Sequence, residues 1–408
     1  MNPDDLATHP TPLAAHYQRF RVVDRILLTG HSHQAWPDVS EAAQGRAWSD
    51  AAEQVDQKWA LAAAEAEKVR HGYARLLGDR PERIALAQNT HELVVKLLSA
   101  LPLSERPRLV TTTGEFHSIR RQLDRLEEEG IRVVRVPADH ADDLADRVAD
   151  AVDDRTAAAM VSSVLFTNAR IVPGLDRVAE VCRRHGAVLL VDAYHHLNVV
   201  PFSIEALGLE DAYVTGAGYK YCQLGEGNGF LRFPEHTELR PVVTGWFAEF
   251  DEVVRGKGTP AGPADGASRV HYRSGPGRFA GATYDPVSHY RAAAVFGFFE
   301  ERGLDVERLR ALSRHQVGLL ARRFDDLDLD PRVVTRDLGQ PLEVTGGFLA
   351  LRSSHAALLH ERLLAEGVHT DFRGEVLRLG PAPYISDAQI EDGVERLGKI
   401  AGALGESP

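Results

Sequence analysis

The sequence predicts an α/β protein whose mainly parallel central sheet is covered by helices on both faces. Two observations carry that expectation. Between about residues 84 and 232, short β-rich runs alternate with amphipathic helical stretches, the pattern of βαβ units. Runs such as TAAAMVSSVLF and AVLLVD are near-continuously apolar, as strands covered on both faces are. Such sheets hold their ligands beyond the carboxyl ends of the strands, so the residues closing each run are the place to look.

The elements follow in order. RLVTT (108–112) reads as a strand. In SIRRQLDRLEEEG, Ile119, Leu123 and Leu126 sit at helical spacing, and Gly130 suits a helix C-cap. RVVRVP (132–137) is a strand, and 141–152, rich in Asp and Ala, a helix. TAAAMVSSVLF (156–166) reads as a buried strand. GLDRVAEVCRRHG (174–186) is a helix with Leu175, Val178, Val181 and Cys182 on one face. AVLLVD (187–192), AYVTG (212–216) and GFLRF (229–233) are further strands. The glycine- and proline-rich stretch 255–277 reads as a flexible loop rather than an element. HYRAAAVFGFFEERG and VERLRALSRHQVGLLARRF have strong helical patterns. The tail, 345–400, mixes short strands and helices. The expected organisation is an N-terminal segment (1–45) packing with a smaller α+β domain (286–408), and a large domain (46–285) between them.

Composition narrows the function. Of 408 residues, 44% are apolar and 26% charged, which excludes disorder as the dominant state. With 47 Lys plus Arg against 59 Asp plus Glu, the net charge of -12 disfavours nucleic acid and anionic membrane surfaces as partners. Two cysteines, Cys182 and Cys222, make neither a disulfide framework nor a CxxC zinc site. The acidic start MNPDDLATHP is unlike a secretory signal, and the apolar runs are strand-sized, so a cytoplasmic location is expected.

Four strand ends carry the chemistry. In AQNTHELVVKLL, Asn89, Thr90 and His91 open a helix; Asn89 with Glu92 fits a capping box, and free N–H groups at a helix start suit a phosphate. In LLVDAYHH, Asp192 ends an apolar strand, where a carboxylate needs a cation such as a protonated pyridine nitrogen, and His195 follows three residues later. In TGAGYKYCQLGEG, Lys220 stands between Tyr219 and Tyr221 in a glycine-bordered loop, where desolvation would release its proton for Schiff-base chemistry. In LRLGPAPY, Arg378 offers a fork for a carboxylate. Singly, each has an ordinary reading: a helix cap, a turn-capping acid, a surface lysine, a structural salt bridge.

Together, in this order and with Lys220 placed 28 residues after Asp192, they resemble the aspartate-aminotransferase-like, fold type I pyridoxal-phosphate (PLP) enzymes. Within them the chain resembles the class V aminotransferase group and its kynureninases, from about residue 84 to 395. The resemblance implies that Lys220 is the Schiff-base lysine and base, Tyr219 a phosphate ligand, Asp192 the partner of the pyridine nitrogen and His195 a neighbour of the ring. It places Phe116, of TTTGEFHS, on the cofactor ring. Trp246 and Phe247, of TGWF, fall near phosphate and substrate, and Thr283, of GATYDP, reaches the neighbouring subunit's phosphate. Arg378 matches the substrate-carboxylate arginine. The implied cofactor is pyridoxal 5'-phosphate, the implied partners a small amino-acid substrate and a second copy in a homodimer with shared active sites. No metal is implied.

The chain departs from kynureninases on the substrate side. TGHSHQAWPD, with His31, Ser32, His33, Gln34 and Trp36, replaces an Asn-Ser-Leu-Gly-type motif. His117 and Ile119 replace the Pro and Asp that follow the stacking Phe, and Tyr284-Asp285 replaces a residue preceding Pro-Pro. The implied reaction is hydrolysis of the Cβ–Cγ bond of kynurenine or an analogue, giving an aromatic acid and alanine. Tyr219, His33, His117 and His195 are the candidates for proton transfer on that side. Alternatives are an aminotransferase or a C–S or other β-lyase. A cysteine desulfurase needs a loop thiolate that neither cysteine supplies. A cofactor-free binding protein would lack a visible absorbance band, and HSH (31–33) and HH (195–196) lack metal-ligand spacing.

Overall fold

The computed structural model describes residues 1–249 and 270–405. Strand β1 (Ile26–Leu27) belongs to the N-terminal segment. Seven strands then build the central sheet: β2 (Ile84–Ala87), β3 (Arg108–Thr112), β4 (Arg132–Val136), β5 (Thr156–Ser162), β6 (Val188–Asp192), β7 (Tyr213–Ala217) and β8 (Gly229–Arg232). Their order is β2-β8-β7-β6-β5-β3-β4. β7, β6, β5, β3 and β4 are mutually parallel, while β8 runs antiparallel to both its neighbours.

The near-continuous apolarity of the strands has its cause in the layering. Successive residues Leu109 and Val110, Ala158 and Ala159, Met160 and Val161, and Leu189 and Leu190 enter two different hydrophobic cores, one on each face of the sheet. Each fully buried Val, Leu or Met side chain among them contributes roughly 1.5–3 kcal/mol. The covering helices are α1 (Val39–Gln54), α2 (Lys58–Leu77), α3 (Thr90–Ser99), α4 (His117–Glu128), α5 (Leu144–Ala151), α6 (Leu175–Arg184) and α7 (Val287–Glu301). The helical spacings hold: Ile119 and Leu123 are the buried face of α4, and Leu175, Val178, Val181 and Cys182 lie on the buried face of α6. Gly130, just past α4, has φ +89°, the left-handed conformation that a residue with a side chain resists.

The C-terminal part contributes α8 (Val306–Asp326), β9 (Leu349–Arg352), α9 (Ala356–Ala365), β10 (Val368–His369), β11 (Asp371–Arg373), β12 (Val376–Leu379) and α10 (Asp387–Gly405). β11-β12-β9 form an antiparallel sheet, and β1 pairs in parallel with β10. The N-terminal segment is held there by more than that ladder: Gln389 Nε2 donates to the Val22 and Arg25 carbonyls, and Thr11 Oγ1 to the Tyr384 carbonyl.

Two expectations change. The strand expected over 156–166 stops at Ser162, in register with Asp192, where its partner β6 also ends. The chain then turns, with Leu165 N–H donating to the Arg170 carbonyl, and Phe166 leaves the sheet. Of the loop expected over 255–277, residues 255–269 lie outside the described residues, and Gly275–Phe279 form a short 3-10 turn.

Candidate active site

The carboxyl ends of β3, β5, β6 and β7 lie side by side at one edge of the sheet, so the segments that follow them converge. After β3 come Glu115 and Phe116; after β5, Phe166; after β6, Tyr194 and His195; after β7, Tyr219 and Lys220. The β11–β12 hairpin supplies Arg378, and the N-terminal segment supplies His31 and His33.

These residues close a circuit around one amine. Lys220 Nζ is 2.6 Å from His195 Nε2. The His195 ring packs edge-on against Phe348, whose ring lies 4.6 Å from that of His31. His31 Nε2 is 2.8 Å from Asp371 Oδ1, and Arg378 Nε donates to the same oxygen at 2.7 Å. Arg378 Nη1 donates to the Phe166 carbonyl, and Phe166 meets Phe116 edge-on. Phe116 returns the circuit to the start, its ring centre 5.3 Å from Lys220 Nζ. Tyr194, at 4.4 Å, and Tyr219, at 5.8 Å, add two more rings beside the amine. His33 stacks on Tyr219 at 4.9 Å and stands exposed at the lip.

Burial sets the protonation states. Desolvation pulls the Lys220 amine down to about 7, against the opposing pull of Asp192. Asp192 is itself buried and pushed upward by desolvation; its Oδ1 accepts the Tyr194 N–H at 2.9 Å. His195 is driven well below its ordinary range by burial and by the Lys220 and Arg378 charges, so it is neutral. Desolvation lowers His31 to about 4. Burial would raise Asp371, but hydrogen bonds from His31 and Arg378 overcome it and hold the carboxyl far below the usual range. Neutral His31 therefore donates its Nε2–H to an ionised Asp371.

The sequence also pointed to the start of α3. Asn89 Oδ1 accepts the Glu92 N–H at 2.9 Å, so half of the expected capping box forms. The reciprocal half does not: Glu92 Oε1 takes Lys96 Nζ at 2.8 Å instead, because an ammonium is the stronger donor. Thr90 and His91 open the helix as expected. Gly229 of β8 passes so close that a Cβ there would lie 2.5 Å from the Asn89 carbonyl carbon, which ties this helix start to the sheet.

Trp246 and Phe247 form a second group, and Thr283 precedes its Tyr284 in the chain. Phe247 packs edge-on against Trp59 and Tyr284, Trp246 lies on Phe247, and Thr283 is exposed. Phe247, Trp59 and Tyr284 line a cavity of about 320 Å³ that reaches Gln88 and Glu92, beside the start of α3. Among the described residues, no hydrogen bond or ring contact joins this group to the Lys220 circuit. Arg378 is placed in the circuit, and its side edge already grips Asp371, the structural salt bridge of its ordinary reading.

Sequence reasoning missed Glu115, Phe166, Tyr194, Phe348 and Asp371. Asp371 had a usable signal: in DFRGEVLR the turn at Gly374 pairs positions 371 and 378 directly. Glu115, just past β3, accepts from Ser162 N–H and Thr112 Oγ1 and bonds Ser162 Oγ at 2.6 Å; desolvation raises it to about 7.

The donor set fits the cofactor that the resemblance implies. A buried amine of lowered proton affinity, a buried acid at a strand end, a ring beside the amine and a helix start are the groups an aromatic aldehyde phosphate needs. Buried His195 Nδ1 has no hydrogen-bond partner among the described residues, a polar atom that a ligand beside Lys220 could engage.

Residues 37–236 match the family model described as Aminotransferase class-V. The chain is 27% identical over 421 residues to a kynureninase of Burkholderia mallei, covering 95% of this chain and 92% of that protein. It is equally 27% identical over 356 residues to isopenicillin N epimerase of Streptomyces clavuligerus, covering 82% and 84%. Among solved structures, a C-DES mutant with glycine covalently linked to the PLP cofactor matches with a TM-score of 0.80 at 17% identity, covering 95% of this chain and 99% of that one. An apo cysteine desulfurase from Thermococcus onnurineus NA1 matches at 0.76 and 16%, covering 97% and 99%. These structures share the fold.

Proposed function

We propose that this chain, whose residues 37–236 match the family model described as Aminotransferase class-V, is a PLP-dependent hydrolase that cleaves the Cβ–Cγ bond of kynurenine or a kynurenine-like amino acid, giving an aromatic acid and alanine. The observation carrying the reading is the closed circuit of contacts that joins Lys220, with its lowered proton affinity, to Arg378 among the rings of Phe116, Phe166, Tyr194 and Tyr219. Kynureninases among its relatives support the substrate class.

Pyridoxal phosphate supplies a sink for the electron pair released at the amino acid. The chain's own residues do the rest. Lys220 would hold the aldehyde carbon and, once free and neutral, would take the α-proton. Asp192 would keep a proton on the pyridine nitrogen. Asn89, Thr90 and His91 open the helix whose N–H groups and partial positive charge receive the phosphate. Arg378, with two N–H groups beyond those given to Asp371 and Phe166, would hold the α-carboxylate and so orient the substrate. Cleavage also needs water at the γ-carbonyl and a proton for the leaving fragment. The Tyr219 phenol, stacked under the His33 ring, would serve that transfer. Trp246 and Phe247 serve the phosphate and substrate side, and Thr283 serves a second copy of the chain in a homodimer, whose existence sedimentation would test.

A desulfurase reading is weaker. Both thiols are buried, and desolvation pushes Cys182 and Cys222 up to about 12, far from a reactive thiolate. The test is product analysis with kynurenine, 3-hydroxykynurenine, cystine and common amino acids. Anthranilate (or its hydroxy analogue) with alanine supports the reading; sulfide, pyruvate or an oxo acid instead would replace it with lyase or aminotransferase chemistry.

A further inference from the structure

Asp371 faces two guanidinium groups. Arg378, opposite it across the β11–β12 ladder, donates from Nε to Oδ1 at 2.7 Å and from Nη2 to Oδ2. Arg373, at the turn of the same hairpin, brings Nη2 to 3.3 Å from Oδ2. The two arginines differ in what remains. Arg378 is buried and held on its side edge. Arg373 gives Nη1–H to the Phe372 carbonyl at 2.7 Å, and its side chain is 38% exposed.

The charges do not cancel. Two cations share one carboxylate, and His31 is neutral, so one positive charge is left over. Its field reaches inward: Arg373 is among the charges acting on His117, His195, Tyr219 and Lys220. One surplus, partly exposed cation beside Asp371 of the Lys220 circuit matches one incoming carboxylate.

We propose that Arg373 is a substrate-binding residue that takes one carboxylate oxygen of the incoming amino acid, beside Arg378, and selects for that charge. The proposal deepens the amino-acid reading above and rests on it. Asp371 then has a defined part: it holds both forks in place before substrate arrives, so that little side-chain freedom is lost on binding.

The test uses the holoenzyme and a probe that cannot react, 4-oxo-4-phenylbutanoate, which has a carboxylate and no amine. Its primary amide serves as the uncharged control. Calorimetric affinities are compared for the native protein, Arg373→Gln and Arg373→Lys. The native protein should prefer the acid to the amide. Arg373→Gln should weaken acid binding roughly tenfold to a hundredfold, the loss of one charge-assisted hydrogen bond, and leave amide binding within about twofold. Arg373→Lys should fall between, since an ammonium keeps the charge without the fork. A merely structural arginine would move acid and amide together. Equal acid preference in native protein and Arg373→Gln, or no preference in the native protein, overturns the proposal. If acid preference is lost on substitution while kynurenine is not cleaved, the carboxylate assignment stands and the substrate reading falls.

Discussion

Lys220 Nζ and His195 Nε2 lie 2.6 Å apart, both buried, in the segments that follow two adjacent parallel strands. Whenever the Lys220 amine is protonated it has no lone pair, so it donates to Nε2 of the neutral His195 and the ring proton then sits on Nδ1. The contact aims the amine among Phe116, Tyr194 and Tyr219 rather than toward solvent.

The lowered proton affinity of Lys220 makes stability depend on pH in the cofactor-free protein. Unfolded, the amine titrates near 10.4; folded, it titrates at about 7, because burial penalises the charged form. Between those values the unfolded chain binds a proton that the folded chain lacks, so stability rises with pH, by at most about 1.4 kcal/mol per pH unit from this group. Thermal unfolding of Lys220→Met across pH 7–10 should lack that rise. Parallel profiles for variant and native protein would mean that the amine is not desolvated.

Glu115 gives the opposite sign. Its folded value of about 7 exceeds that of the unfolded carboxyl, near 4.3. Between them the folded chain holds a proton the unfolded chain has lost, so this group's contribution declines as pH rises from about 4.5 to 7. Glu115→Gln keeps an oxygen for the Ser162 N–H and an amide for Ser162 Oγ. Its stability relative to the native protein should therefore grow with pH over that window. A difference that does not vary with pH contradicts the buried, protonated carboxyl.

Asp192→Asn tests the electrostatic half of the site. The amide still accepts the Tyr194 N–H and fills the same volume, so fold and thermal midpoint should hold. The charge that keeps the pyridine nitrogen protonated is gone, and kcat should fall roughly 100-fold or more, the usual cost of deleting an electrostatic group aimed at developing charge. Turnover within threefold of native would remove Asp192 from the mechanism.

The sequence made the strand ends legible because a buried parallel sheet writes them plainly. Asp192, Lys220 and the Asn89 helix start each close or follow an apolar run, and the structure puts each where its run ends. What the sequence hid was tertiary. Asp371 meets His31 across 340 residues, a contact that exists only because β1 lies beside β10. Phe166 was read as strand, since an apolar run does not show where its pairing partner stops. From sequence Arg378 offers either a carboxylate fork or a structural salt bridge, and its engagement by Asp371 follows from hairpin register. Trp246 and Phe247 came from motif likeness alone, and the structure groups them with Trp59 and Tyr284.

The account depends on Lys220 being the amine that carries the cofactor. The most direct measurement is borohydride reduction of the purified, PLP-loaded protein, followed by digestion and mass mapping. The account predicts a stable pyridoxyl-phosphate adduct on the peptide bearing Lys220, and no adduct at this site in Lys220→Ala. An adduct confined to another lysine, or none after incubation with pyridoxal phosphate, would contradict it.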